Sequence, residues 1–292
     1  MPAIIMDGKA LGMKLREKAK TGSQKLRERG ITPRLAVVLA GEDPASLAYV
    51  ASKEKALAKA GMESANIRLP ASASENALLS LITELNRDDS VHGILLQLPL
   101  PSHIDAVKMA AAIAPEKDVD CLGPVQAGKM FLGAPSFLPC TPAGVLELLR
   151  EYAVPLAGAR AVIAGRSSLV GKPLAILLSR KGADATVTLC HTGTRDLARH
   201  AREADILIAA CGSPGLITPD MVKEGAAVID VGISRVPDEA AKKGYSLRGD
   251  VDPAAVEKAA FFTPVPGGVG PVTVAMLLLN ALRAAELAAK RK

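Results

Sequence analysis

This chain has no tryptophan, and aromatic side chains make up only 2% of its 292 residues. Hydrophobic residues still account for 49% of it, so the core has to be built from Ala, Leu, Val and Ile. Close aliphatic packing of that kind belongs between helices and a sheet, which points to an α/β protein. Cysteine is also scarce: Cys121, Cys140, Cys190 and Cys211 lie far apart, with no C-x-x-C pair and no histidine at zinc-finger spacing. That pattern argues against a disulfide framework and against a metal site, and reads as four reduced thiols in a cytoplasmic protein. The segment Met1-Pro2-Ala3-Ile4-Ile5-Met6-Asp7 lacks the basic-then-apolar pattern of an export signal. No apolar run approaches the roughly 20 residues of a membrane span, so neither export nor membrane insertion is expected. Net charge is +6 and the pI is near 9.1, with part of the excess in the tail Lys290-Arg291-Lys292. No basic stripe with interleaved aromatics accompanies it, which argues against a nucleic-acid partner and leaves an anionic small molecule compatible.

What is present is a regular alternation of short apolar runs with longer helical patterns, the signature of β-α-β units around parallel sheets. There are two series. In the first, strands are expected at Leu35–Leu39, Ala65–Leu69 and Gly93–Leu96, with helices near Gly8–Arg29, Pro44–Ala60 and Glu75–Asn86. Asp43 supplies a cap and Pro44 a first turn, and Gly61 ends that helix. The second series has strands near Arg160–Ala164, Thr186–Leu189, Ile206–Ala209 and Ala227–Asp230, a short last strand at Ala260–Phe262, and a helix from about Val170 to Arg180. Between them runs a Pro/Gly-dense stretch from Pro115 to Pro142, where Thr141-Pro142 reads as the cap and first turn of a helix Ala143–Glu151. The expected division is residues 1–140 plus 270–292 in one domain and 141–269 in the other, with an apolar final helix, Val272–Leu287, that must be buried.

Two glycine-rich stretches compete as a phosphate site. Pro264-Val265-Pro266-Gly267-Gly268-Val269-Gly270-Pro271 contains Gly-Gly-x-Gly, but a nucleotide turn should follow a central strand, and Pro264 and Pro266 argue against one there. Its glycines suit close approach by a ligand other than a phosphate. By contrast, Gly165-Arg166-Ser167-Ser168-Leu169-Val170-Gly171-Lys172-Pro173 follows a strand and opens a helix, so its backbone N–H groups and positive helix end suit a pyrophosphate. Its spacing is neither the usual dinucleotide fingerprint nor a Walker loop. Context adds to it. An NAD domain carries an acid after its second strand, whereas here that place reads Cys190-His191-Thr192-Gly193-Thr194-Arg195. With Arg166, these hydroxyls and bases suit the 2′-phosphate of NADP. Cys211-Gly212-Ser213-Pro214-Gly215 and Val231-Gly232-Ile233 follow later strands, at the rim of the same crevice.

Reacting groups are sought in the first series. Ser46-x-x-Tyr49-Val50-x-x-Lys53 puts a phenol and an amine four residues apart on one helix face. Such a lysine is ordinarily a solvated one, and with an unperturbed pKa of about 10.4 it needs burial or a neighbouring charge to act as a base. The Y-x-x-x-K spacing also occurs in short-chain dehydrogenases, but there it follows the nucleotide motif and here it precedes it by over a hundred residues.

Six segments, in order, carry a closer resemblance: Ser46 to Lys53; Gly93-Ile94-Leu95-Leu96-Gln97-Leu98-Pro99-Leu100-Pro101; Pro115-Glu116-Lys117-Asp118-Val119-Asp120; Pro139-Cys140-Thr141-Pro142-Ala143-Gly144; Gly165 to Pro173; and Pro266 to Thr273. Over nearly its whole length the chain resembles the bifunctional methylenetetrahydrofolate dehydrogenase/cyclohydrolase family. The resemblance implies a two-domain α/β fold, with an N-terminal catalytic and folate-binding domain, a C-terminal NADP-binding Rossmann-like domain and a last helix returning to the first. It implies oxidation of 5,10-methylenetetrahydrofolate by NADP and hydrolysis of the methenyl product to 10-formyltetrahydrofolate, in the one-carbon metabolism that serves purine biosynthesis, by a homodimer. A dehydrogenase with weak or no cyclohydrolase activity is the alternative. Residue by residue, the resemblance implies that Lys53 moves protons in the hydrolysis, Gln97 holds its amine, and Tyr49 positions it and packs on folate. Asp120 would take the two adjacent N–H donors of the pterin edge, and Pro266, Gly267, Gly268 and Val269 would lie against substrate. Gly165, Arg166, Ser167, Gly171, His191, Thr192 and Ile233 would hold NADP. The chain departs from the family twice: Cys121 follows Asp120 where a glycine is usual, and Gly193 replaces a basic residue after the second nucleotide strand.

Overall fold

A computed structural model describes residues 2–241 and 244–291, without the side chains of Pro44 and Ala45. Met1 and Lys292, at the two termini discussed above, lie outside the described residues. In chain order the elements are β1 (Ile4–Ile5), α1 (Gly8–Arg27), β2 (Arg34–Ala40), α2 (Pro44–Lys59), β3 (Glu63–Leu69), α3 (Glu75–Arg87), β4 (Gly93–Leu96), α4 (Ala106–Ala112), α5 (Pro124–Phe131) and α6 (Cys140–Glu151). They continue with β5 (Arg160–Ala164), α7 (Gly171–Ser179), β6 (Thr186–Cys190), α8 (Leu197–Arg202), β7 (Ile206–Ala209), β8 (Ala227–Asp230), β9 (Ser234–Pro237), β10 (Tyr245–Arg248), β11 (Phe261–Phe262) and α9 (Val269–Ala289). The chain forms two compact units, one of Met13–Cys140 with Val274–Lys292 and one of Met1–Gly12 with Thr141–Thr273.

The first unit is built on a three-stranded sheet of order β3-β2-β4 whose pairings are parallel. β2 is its centre, and its apolar run divides by the period of two that a strand imposes. Leu35, Val37 and Leu39 enter one core with residues of α1, α2 and α9, while Ala36 and Val38 enter another with Leu78, Ile82 and Leu85 of α3. α9 is the one helix among the described residues long and apolar enough to cross a membrane, at a mean hydropathy of 1.5, which corrects the expectation that no such run exists. Its apolar residues have a place in the fold: Leu277, Leu278, Ala281, Leu282, Ala284 and Ala285 pack in the first core. A Cβ on Gly22 of α1 would fall 2.4 Å from Leu282, so the two helices pack closely. Mid-helix, the Asn280 amide donates to Val119 O (2.7 Å) and Leu138 O (2.8 Å). The final helix therefore returns to this unit, as expected.

The second unit carries a six-stranded sheet of order β1-β11-β8-β7-β5-β6, with every pairing parallel. The chain steps from β5 outward to β6, then back across to β7, so the order reverses between β5 and β7. In an open α/β sheet a ligand crevice lies at that reversal, beyond the carboxyl ends of the strands. β1 pairs with β11, so Ile4 and Ile5 join this sheet although they stand at the head of the first series; a two-residue strand carries no periodicity to reveal its sheet. β9 and β10 form a separate antiparallel ribbon.

One cap differs from expectation. The helix expected from Ala143 begins at Cys140, so Thr141 and Pro142 fall inside its first turn. Proline is accommodated there because first-turn N–H groups have no helical partner to lose. The N–H of Cys140 donates instead to Asp120 Oδ1 at 3.3 Å.

Candidate active site and dinucleotide crevice

In the first unit, Lys53 sits on the third turn of α2 and Gln97 directly after β4. α2 begins where Asp43 accepts hydrogen bonds from Ser46 N (2.8 Å) and Ser46 Oγ (2.8 Å), and this fixes the helix that carries Tyr49 and Lys53. The Lys53 ammonium donates to Gln97 Oε1 at 2.9 Å, while Gln97 Nε2 donates to Leu98 O at 2.7 Å. The second bond sets the amide's orientation, so its oxygen faces the lysine. Burial lowers the pKa of Lys53 below its ordinary 10.5, and the nearby Asp120 carboxylate opposes the shift. Tyr49, by contrast, is 44% exposed, a phenol ring presented to whatever binds beside the amine.

Asp120 is held by a loop whose anchors do not stand out in the sequence. Buried Lys117 donates to Leu85 O (2.8 Å) and Asp88 O (2.7 Å) at the end of α3. Asp118 accepts from Leu122 N (3.0 Å) and Gly123 N (2.8 Å) at the start of α5. Burial pushes Asp118 up to about 6. Asn280 binds the carbonyl of Val119, and Gln126 Nε2 donates to Pro115 O at 2.5 Å. Lys117 and Asp118 stand in the Pro115–Asp120 motif, yet only their burial reveals what they do, and burial is not written in a six-residue run.

Cys121, where the resemblance leads one to expect glycine, has a left-handed backbone, with φ +56°. The loop retains a glycine-like path at a cost of about 1 kcal/mol for a residue with a Cβ. Packing of its side chain against the first core offsets part of that. Two variants separate the contributions. In urea unfolding followed by far-UV circular dichroism, Cys121→Gly should stay within about 1 kcal/mol of the parent, because relief of strain balances lost packing. Cys121→Val should lose about 2 kcal/mol, because a β-branched residue is a poor fit to φ above zero.

In the second unit, the turn after β5 shows why it is glycine-rich. A Cβ on Gly165, whose φ is +123°, would fall 2.1 Å from Ala210 O, and one on Gly171 would fall 1.9 Å from Gly165 O. The turn is thus folded on itself and against the end of β7, at the reversal of strand order. Ser167 Oγ closes it by accepting from Val170 N (3.1 Å). Arg166 and Ser167, at its start, are both exposed. After β6, His191 Nδ1 accepts from Gly193 N (3.0 Å) and His191 N donates to Thr194 Oγ1 (2.8 Å), so His191 shapes a tight turn while Thr192 is exposed. Ile233, after β8, is 45% exposed.

Pro266, Gly267, Gly268 and Val269 belong to this second unit, between β11 and the body of α9. Their glycines have a reason within the chain itself. A Cβ on Gly8 would fall 1.7 Å from Gly268 O, so the loop lies directly on the start of α1. Gly267 has φ +117°, and a Cβ on Gly268 would fall 2.7 Å from Pro264 O. The sequence suggests close approach of ligands as the reason for these glycines; close approach of backbone to backbone already requires them.

A parallel sheet with a glycine turn at its reversal point, and a second α/β unit holding a half-buried lysine against an amide, define a two-part dinucleotide-dependent enzyme. Comparison with known proteins makes the class specific. Residues 6–120 match "Tetrahydrofolate dehydrogenase/cyclohydrolase, catalytic domain" and residues 139–289 match "Tetrahydrofolate dehydrogenase/cyclohydrolase, NAD(P)-binding domain". The chain belongs to the tetrahydrofolate dehydrogenase/cyclohydrolase family. It is 54% identical over 291 residues to the bifunctional protein FolD of Treponema pallidum, covering 99% of this chain and 92% of that one. The bifunctional FolD methylenetetrahydrofolate dehydrogenase/cyclohydrolase of Campylobacter jejuni superposes with a TM-score of 0.93 at 47% identity, covering 98% of this chain and 99% of that one. The Trypanosoma brucei methylenetetrahydrofolate dehydrogenase-cyclohydrolase, solved with NADP cofactor and an inhibitor, superposes with a TM-score of 0.95 at 41% identity, covering 99% of each chain.

Proposed function

We propose that this chain oxidises 5,10-methylenetetrahydrofolate with NADP and hydrolyses the resulting 5,10-methenyl compound to 10-formyltetrahydrofolate. The observation that carries the reading is the half-buried Lys53–Gln97 pair, with Asp120 near the amine, in a chain matched to both family domains. Hydride leaves a carbon flanked by two nitrogens whose lone pairs stabilise the cation, so the oxidation needs orientation more than a base. NADP supplies the hydride acceptor. After water adds to that cationic carbon, the carbon–N5 bond must break, with the hydroxyl proton passed to N5 and the formyl group left on N10; the addition itself must remove a proton from the water. A neutral Lys53 is suited to remove it, since one N–H is engaged by Gln97 and the lone pair is left to take the proton. Asp120 would accept the paired N–H groups of the pterin edge, and Tyr49 would lie along the folate.

The second unit fits NADP on its own geometry. Gly165 and Gly171 leave the room that a Cβ would fill, next to the amino end of α7. Arg166 stands in that turn, and Thr192 is exposed in the turn after β6, where an acid would favour NAD. Arg166→Ala should weaken NADP about tenfold or more, as expected for loss of a charge-assisted contact to the 2′-phosphate. NAD binding should change little, and calorimetry with each cofactor reads the difference. Equal losses would assign Arg166 to the shared phosphates instead. A cytoplasmic homodimer is part of the same proposal, and light scattering tests the dimer against twice the chain mass of 30.2 kDa.

A further inference from the structure

Two buried carboxylates in the second unit take no part in the chemistry above. Asp230 ends β8 and is 3% exposed, and Asp250, shortly after β10, is fully buried. Among the described residues neither is seen in an ion pair; their partners are backbone N–H groups and, for Asp250, the Cys211 thiol as well. Asp250 Oδ2 accepts from Cys211 N (2.7 Å) and Gly212 N (2.9 Å), in the turn that follows β7. Asp230 Oδ1 accepts from Gly232 N (3.0 Å) and Asp250 N (2.9 Å), and its Oδ2 accepts from Val251 N (3.0 Å).

The glycines nearby are cut to fit these groups. A Cβ on Gly249 would lie 1.8 Å from Asp230 Oδ2, and one on Gly232 would lie 2.3 Å from Asp250 Cγ. A continuous chain of contacts therefore runs from the turn after β7, through Asp250 and its backbone, to Asp230 and the turn after β8. β7 and β8 are neighbours in the sheet, and their carboxyl ends border the dinucleotide crevice. Asp250 Oδ1, moreover, is buried and accepts from no backbone N–H. The Cys211 thiol lies against the same carboxylate, whose charge and hydrogen bond add to the burial that pushes the thiol up. Burial pushes Asp230 up to about 6, and the charge of Asp250 adds to the shift, so the two groups interact.

We infer that Asp250 is a positioning residue for the cofactor: its carboxylate pins the Cys211–Gly212 turn and, through Asp230, ties it to the Gly232 turn, so that the crevice rim is set before NADP arrives. The inference rests on the dinucleotide reading of that crevice. Asparagine at this position keeps one oxygen able to accept both N–H groups, whereas alanine keeps none.

The test compares Asp250→Asn and Asp250→Ala by hydrogen exchange at the amides of Cys211 and Gly212 and by NADPH titration, using the fluorescence of the reduced cofactor. Hydrolysis of the methenyl substrate, which consumes no cofactor, checks that each variant is folded. Asp250→Ala is expected to exchange those two amides at least tenfold faster and to bind NADPH at least tenfold more weakly, with hydrolysis retained. Asp250→Asn should stay within threefold of the parent in both readouts. Parent-like exchange and binding in Asp250→Ala would overturn the inference, as would loss of hydrolysis together with binding, which marks a general structural role. A parent protein that binds no NADPH would instead overturn the dinucleotide reading, and the exchange rates would still report whether Asp250 holds the turn.

Discussion

Lys53→Met is expected to lower hydrolysis of methenyltetrahydrofolate by about 100-fold or more, the scale of a lost proton-transfer group, while leaving the chain folded. Methionine nearly matches the lysine stem in length and lacks only the amine, so α2 loses a hydrogen bond to Gln97 but little packing. The environment supplies the physical case. A lysine in water is almost wholly protonated at neutral pH, and a protonated amine has no lone pair to offer. Burial here favours the neutral form, against the pull of Asp120. The parent's hydrolysis rate should accordingly rise with pH through a group titrating below 10.5, and that limb should vanish from the residual rate of the variant. Gln97→Ala should keep the limb and shift it, because the amine remains but its holder is gone. Methenyl absorbance followed across pH reads all three proteins. Parent-rate hydrolysis by Lys53→Met would remove Lys53 from the reaction.

Gly171→Ala should have the second large effect, on the cofactor. The added methyl would sit 1.9 Å from Gly165 O and 2.7 Å from Gly165 C, both backbone atoms with no rotamer by which to retreat. The turn must open. Gly165 is itself wedged against Ala210 O, so the opening is transmitted to the end of β7 as well as to the start of α7. Loss of phosphate-directed N–H geometry should weaken NADP and NAD alike by about tenfold or more, since each charge-assisted bond lost amounts to about 1.5–3 kcal/mol. Because Arg166→Ala should discriminate between the two cofactors, the pair of variants separates the shared pyrophosphate from the 2′-phosphate. Calorimetric titration of both variants with both cofactors provides the comparison, and undiminished binding by Gly171→Ala would place the pyrophosphate elsewhere.

Much of this architecture is legible in the chain. Where strands are buried on both faces, as in β4, β5, β7 and β8, the apolar run and its flanking turns set their bounds, and the observed spans coincide with the expected ones. What escapes is short or half-exposed: β1 has two residues, β9 and β10 match β4 in length but lack its buried apolar run, and α4, α5 and α8 are helices of 7, 8 and 6 residues. The candidate site divides similarly. Lys53 and Gln97 can be named because motif order singles them out, and the structure brings them within a hydrogen bond of each other. Lys117, Asp118, Asn280 and Asp250 cannot, since each acts by being buried against backbone groups outside its own motif. Nor does the sequence say that Cys121 adopts a left-handed backbone despite its side chain; it says only that a glycine is missing there.

The central claim is that one chain performs both steps. It is tested most directly by giving the purified protein 5,10-methylenetetrahydrofolate with NADP and following reduced cofactor, methenyl and 10-formyl products together. The account predicts NADP reduction matched by 10-formyltetrahydrofolate, formed faster than methenyl hydrolyses without protein. NADP reduction with methenyl disappearing only at its spontaneous rate would leave a dehydrogenase alone, and no reduction at all would contradict the account outright.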